Sequence, residues 1–393
     1  MNRRTLLLAP IALSANRATA HAGSGLPRVA PAEGGFDPAA LAAIRRRMEE
    51  FTKGGQISGA VTLLARRGKV AWLDASGLAS REHSRPMRSD TLFWIASMTK
   101  SLTATAVMLL VEERRVSLDE PVERFLPSFG SVRLRSGAPQ HRVTLRHLLS
   151  HTAGLAQPDR KPTDGSIPLV TYASDLAKAP LEFEPGTRYE YGFGPTVAGA
   201  VVEVASGMPF DRFLQERVLN PLGMADTTWH PNPEQRGRLA ACYRPGARAG
   251  ELTPTFIPFV TPDPAIRRVP EPSGGLFSTA EDMASFYQMV LDGGRIRSGR
   301  SLLSQASVRE MTTPFDLPGS TVRYGLCWQQ LAAVRPGAPA KLAGYGHGGA
   351  FGTHGMVDPE RQVVAVLMIQ RTLFPEGSQV VNAFHELAAK AVV

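Results

Sequence analysis

Apolar and polar positions divide the chain into three textures. Near the N-terminal end, Asp37 is placed to cap a helix over Pro38–Lys53, with proline at its first position. Ser58–Arg66 then reads as a strand, Arg67-Gly68 as a tight turn and Lys69–Ala75 as the returning strand. Beyond the apolar and aromatic Leu92–Ala96, residues Leu102–Val111 are almost uniformly apolar, which predicts a buried helix. At the other end, Leu326–Leu331, Phe351–Val357 and Gln362–Ile369 read as strands. Asp358–Arg361 turns between the last two, and a helix over Gln379–Ala391 closes the chain. The intervening stretch is richer in proline and glycine, with mainly helical patterns at Leu145–Ser150, Thr196–Ser206 and Pro209–Val218. One arrangement that buries these faces is an α/β (α+β) sandwich. Its antiparallel sheet of N- and C-terminal strands is flanked by helices, and a mostly helical lobe is inserted. The expected boundaries are 28–118 and 271–393 for the α/β part and 119–270 for the lobe.

Composition narrows the function classes. With 43% hydrophobic and 20% charged residues over 393 positions, the chain is an ordinary globular protein. The formal charge of +9 is scattered, with only short runs such as Arg45-Arg46-Arg47, so no nucleic-acid partner is expected. Residues 1–22 have the layout of an export signal. A basic Asn2-Arg3-Arg4 precedes the mostly apolar Leu6–Ala15, and Ala18-Thr19-Ala20 or Ala20-His21-Ala22 offers a cleavage site. Arg3-Arg4 leaves the twin-arginine route open beside the general one. No later stretch reaches 18 uninterrupted apolar residues, so the mature chain is expected to be exported, periplasmic and without a membrane span. Cys242 and Cys327 are the only cysteines, and a disulfide or two buried thiols both fit. His147 and His151 lack the glutamate of a zinc-protease helix and read as structural. No metal or organic cofactor is expected.

The candidate chemistry starts at Ser97-Met98-Thr99-Lys100, the only Ser-x-x-Lys in the chain. Residues at i and i+3 share a helix face, which sets the Lys100 amine beside the Ser97 hydroxyl. A desolvated amine can take the hydroxyl proton, and unpaired N–H groups at a helix start favour a developing oxyanion. The bland alternative is a capping serine followed by an ordinary lysine. Downstream, Pro185-Gly186-Thr187-Arg188-Tyr189-Glu190-Tyr191 supplies two phenols, either of which could relay protons beside a lysine or simply pack. Gly344 to Gly352 is dense in glycine, a sign of close backbone approach or of a flexible hairpin.

Ser97-x-x-Lys100, Pro185-Gly186-Thr187 leading to Tyr191, and His347-Gly348-Gly349 together resemble the serine β-lactamase and penicillin-binding-protein superfamily. The likeness is to its class C-like branch with the family VIII carboxylesterases. His147–Leu155 and Gly348–Asp358 add to it, and it runs from about Phe36 to Ile369. By that resemblance Ser97 is the acylated nucleophile, Lys100 helps deprotonate it, and Tyr191 rather than Tyr189 acts as base and then acid. The oxyanion is held by the backbone N–H groups of Ser97 and Ala350. Phe193, His347, Gly348 and Gly349 contact the substrate. Two departures stand out: Phe193 occupies the place of an asparagine amide, and His347 that of a lysine. A neutral imidazole is the weaker anion partner, so the site tilts toward esters and other weakly charged acyl compounds. The expected protein is a serine hydrolase forming an acyl-enzyme on a small-molecule ester or amide, foremost a carboxylesterase. A β-lactamase or D-alanyl-D-alanine carboxypeptidase is the alternative within the same chemistry. A non-catalytic ligand-binding protein is the alternative outside it. An α/β-hydrolase is disfavoured because no Gly-x-Ser-x-Gly occurs. Acyl-chain preference, the order in which Lys100 and Tyr191 act, and the oligomeric state are not legible.

Overall fold

The computed structural model describes residues 25–157, 166–258, 268–317, 319–331, 341–372 and 378–393. The export segment expected at 1–22 lies outside them. Seven antiparallel strands form the main sheet, in the order Arg85–Pro86, Lys69–Ser80, Gly59–Arg66, Val363–Met368, His354–Asp358, Gly344–Gly348, Gln329–Leu331. The two ends of the chain therefore meet in the middle of the sheet, where Leu63 lies opposite Val366.

Period-two alternation assigns each side chain of these central strands to one of two cores. Val61, Leu63, Ala65, Val364, Val366 and Met368 face one, while Ala60, Leu64, Val363, Ala365 and Leu367 face the other. Val363–Met368 is buried on both faces, so it reads as an unbroken apolar run. The second core is closed by two helices. Pro38–Lys53 starts where the Asp37 carboxylate accepts from the Ala39 N–H at 2.8 Å, and it buries Leu41, Ile44, Met48 and Phe51. Gln379–Ala391 adds Val380, Phe384 and Ala388.

The first core holds the helix Thr99–Glu112, buried from Thr99 through Leu110. Burying its hydroxyls is tolerable because they are hydrogen-bonded. Ser101 Oγ donates to the Cys327 carbonyl at 2.8 Å, Thr103 Oγ1 to that of Pro272 at 2.7 Å and Thr105 Oγ1 to that of Ser101 at 3.0 Å. Ala280–Leu291 packs into the same core, capped by Thr279. The elements described between residues 119 and 270 are mainly helical, Gly194–Ser206 being the longest, with one hairpin of Cys242–Pro245 and Leu252–Thr255.

Several boundaries differ from the sequence expectation. The strand expected over Phe351–Val357 begins at His354, because Gly349–Gly352 closes a turn through a Gly352 N–H to Gly349 carbonyl bond of 3.0 Å. Gly344–Gly348 is itself a strand. The strand expected from Leu326 starts at Gln329, after Cys327 enters the left-handed region at φ 61°. The return strand from Lys69 runs on to Ser80. Pro209–Val218 is α-helical only over Phe210–Leu214 and continues as a wider π turn. Both cysteines are buried free thiols. Among the described residues no helix is long and apolar enough to cross a membrane.

Candidate active site

The turn carrying Ser97 is made by an unusual backbone. Ala96 sits at φ 45°, a conformation that costs a non-glycine residue about 1–3 kcal/mol, and Ala96–Met98 form a single 3-10 turn running into the helix at Thr99. Tertiary bonds hold it there. The Ile95 N–H donates to the Leu276 carbonyl at 3.0 Å, the Ile95 carbonyl accepts from Thr353 Oγ1 at 3.2 Å, and Trp94 Nε1 donates to the Gly274 carbonyl at 2.6 Å. Nothing in Ile-Ala-Ser signals a left-handed residue, so only the fold shows it.

Lys100 is 3% exposed, and its Nζ donates to Ser97 Oγ at 3.1 Å and to the Ser273 carbonyl at 2.6 Å. The face of the Tyr191 ring lies over the same nitrogen, 4.7 Å from the centroid. Ser97, Lys100 and Tyr191 thus line one cleft of about 300 Å³, whose wall also includes Trp94, Gln157, Phe193, Glu271 and Ala350. Ser97 and Ala350, the two residues whose amides are expected to hold an oxyanion, both line this cleft. A larger cavity of about 560 Å³, lined by Leu26, Met289 and Arg295 among others, holds none of these groups.

The Tyr191 segment is anchored by His151, which the sequence marked as structural. Its carbonyl accepts from the Glu190 N–H at 2.8 Å, its Nδ1 accepts from the Gly192 N–H at 3.2 Å, and its ring lies 4.4 Å from that of Tyr191. Burial and the nearby Lys100 charge keep the imidazole neutral by lowering its pKa well below the usual value. His151 stands at φ 58° beyond the end of the helix Leu145–Leu149, so it does not share a helix face with His147.

His347, Gly348 and Gly349 are not in the cleft wall. His347 is 1% exposed, with Nε2 2.8 Å from the Tyr324 hydroxyl and Nδ1 2.7 Å from the Gly348 carbonyl. Burial, reinforced by Lys100, pushes its pKa down to about 3. It is therefore neutral and fully engaged, with no free nitrogen for a substrate. The glycines answer to internal packing. A Cβ on Gly349 would meet Thr353 Oγ1 at 2.1 Å and the Ile95 carbonyl at 2.5 Å, and one on Gly346 the Gly355 carbonyl at 2.1 Å. The close approach read from the glycine density is real, but it is between protein strands.

Sequence reasoning missed Gln157 and Glu271. Gln157 Nε2 donates to the Tyr191 carbonyl at 2.9 Å and brings a side-chain amide into the wall although Phe193 has none. Glu271 lies in Pro270-Glu271-Pro272-Ser273-Gly274-Gly275, whose prolines and glycines signal a turn but not its partner. Among the described residues no group of three or more His, Cys, Asp or Glu is placed to hold a metal.

Residues 44–390 match the Beta-lactamase family. Esterase EstB of Burkholderia gladioli is 39% identical over 227 residues, spanning 54% of this chain and 57% of its own. The D-alanyl-D-alanine-carboxypeptidase/endopeptidase AmpH of Escherichia coli (strain K12) is 26% identical over 318 residues, 77% of this chain and 76% of its own. Among solved structures, EstCE1, a hydrolase with promiscuous acyltransferase activity, matches with a TM-score of 0.73 at 26% identity, covering 90% of this chain and 98% of its own. A family match across nearly all of the described sheet and helices leaves one conclusion: the chain belongs to the β-lactamase family and is a serine hydrolase.

Proposed function

We propose that this protein is a carboxylesterase that works through an acyl-enzyme on Ser97. The observation that carries the reading is the charge of the cleft. Among the described residues that form its wall Lys100 is the only basic one, and that amine is committed to Ser97 and Ser273. Among these described residues a substrate carboxylate finds no uncommitted cation, and His347, neutral and enclosed, offers none. A charge-assisted bond is roughly twice as strong as a neutral one, so lactams and D-alanyl peptides that rely on it lose most by its absence. Uncharged esters lose nothing.

In the proposed reaction Lys100 takes the Ser97 proton as Oγ attacks the ester carbonyl. The oxyanion lies between the N–H groups of Ser97 and Ala350. Tyr191 gives its phenolic proton to the departing alkoxide and is reprotonated by the Lys100 ammonium; water then attacks the acyl carbonyl, its proton passing through the same pair to Ser97 Oγ as the acid leaves. Ser97→Ala is expected to abolish both turnover of a p-nitrophenyl ester and labelling by a serine-directed phosphonate; retained turnover removes the mechanism. Nitrocefin turnover matching that of the best ester would replace esterase by β-lactamase. Export through residues 1–22 belongs to the same reading, and the N-terminal sequence of protein recovered from the periplasm tests it.

A further inference from the structure

We infer that Glu271 positions Lys100: its side chain anchors the strap whose Ser273 carbonyl receives the amine. The inference rests on the acyl-enzyme reading of Ser97 and adds a positioning residue to it.

Residues 271–276 are laid along the nucleophile turn and the helix behind it, and their carbonyls are spent on those two elements. The Pro272 carbonyl takes Thr103, that of Ser273 takes Lys100, that of Gly274 takes Trp94 Nε1, and that of Leu276 takes the Ile95 N–H. The strap in turn is shaped by Glu271. Its Oε1 accepts from the Ser273 N–H at 2.8 Å and from Thr196 Oγ1, and its own carbonyl accepts from the N–H groups of Gly274 at 2.9 Å and Gly275 at 2.8 Å. Thr196 Oγ1 and Ser273 Oγ are 2.6 Å apart and close the ring. One carboxylate therefore fixes the carbonyl that points Lys100 at Ser97.

The anchor is buried. Glu271 is 7% exposed, and burial raises its pKa while the hydrogen bonds from Thr196 and Ser273 work against that rise. Both donors are met by a side-chain oxygen whether or not the carboxyl carries a proton, so the hold on the strap is a matter of hydrogen bonding and shape.

Glu271→Gln keeps an acceptor for Ser273 and Thr196, and its kcat for an ester is expected to stay within a few-fold of wild type. Glu271→Ala removes the anchor, and kcat is expected to fall about 100-fold with KM changed far less. Glu271→Asp falls one methylene short of the Ser273 N–H and is expected to lower kcat in the same way. Wild-type kcat in Glu271→Asp overturns the inference, even if Glu271→Ala is merely less stable or does not fold. So does Glu271→Ala with unchanged kcat, or Glu271→Gln as slow as Glu271→Ala. Failure of the parent reading looks different: the wild-type protein would then neither be labelled at Ser97 by a phosphonate nor lose turnover in Ser97→Ala.

Discussion

Gly349→Ala puts a single methyl between the glycine-rich turn and the backbone that leads into Ser97. The added Cβ would lie 2.1 Å from Thr353 Oγ1 and 2.5 Å from the Ile95 carbonyl oxygen, where 3.0 Å is the practical limit, so one side must retreat by nearly an ångström. Thr353 cannot yield freely, because its carbonyl accepts from the Gly349 N–H at 2.7 Å and its hydroxyl donates to Ile95. Ile95 is no softer, since its carbonyl also accepts from the Met98 N–H at 3.1 Å inside the Ser97 turn. Overpacking of this kind costs about 1–3 kcal/mol. The displacement separates the amides of Ser97 and Ala350, and a misplacement of about 1 Å is worth about 100-fold in rate. Ester turnover should therefore show kcat and kcat/KM falling together by about 100-fold, with phosphonate labelling of Ser97 slowed in parallel. Gly237→Ala is the control, because nothing lies within 4 Å of its Cβ and the site is helical. That variant should be at least as stable as wild type. Gly349→Ala with wild-type kcat and melting temperature would refute the argument that this glycine exists for strand-to-turn contact.

His347 is held neutral with a pKa of about 3, against 6.5 for an unfolded chain. The unfolded state gains a proton below pH 6.5 while the native state does not. Its effect is thus nil above that pH, and it destabilises the native state as the pH falls from 6.5 toward 3, by about 1.4 kcal/mol per unit. Urea unfolding of His347→Asn should show a pH dependence flatter by that slope, or about 2 kcal/mol at pH 5; an unchanged slope would mean that His347 titrates normally. Cys242 and Cys327 are buried thiols, with the Cys242 pKa pushed up to about 12. Ellman's reagent should find neither in the native protein and both in guanidinium; one or none after denaturation under non-reducing conditions would indicate a disulfide.

Much of the frame is written locally. Asp37-Pro38 starts a helix wherever it occurs before a suitable run, the hairpin around Arg67-Gly68 follows from its turn residues, and Val363–Met368 announces a strand buried on both faces. The pairing of Ser97 with Lys100 needs only i, i+3 geometry, so it too was legible. What surrounds that pair was not. Lys100 and Ser273 are 173 residues apart, and the Gly349 contact with Ile95 spans still more of the chain, so no short-range pattern encodes them. The same holds for His347, whose place in the motif suggested a substrate contact until packing against Tyr324 enclosed it. Short-range spacing determined which groups could do the chemistry; long-range packing decided which are exposed to a substrate, because burial and hydrogen-bond satisfaction are properties of neighbours that meet only in the folded chain.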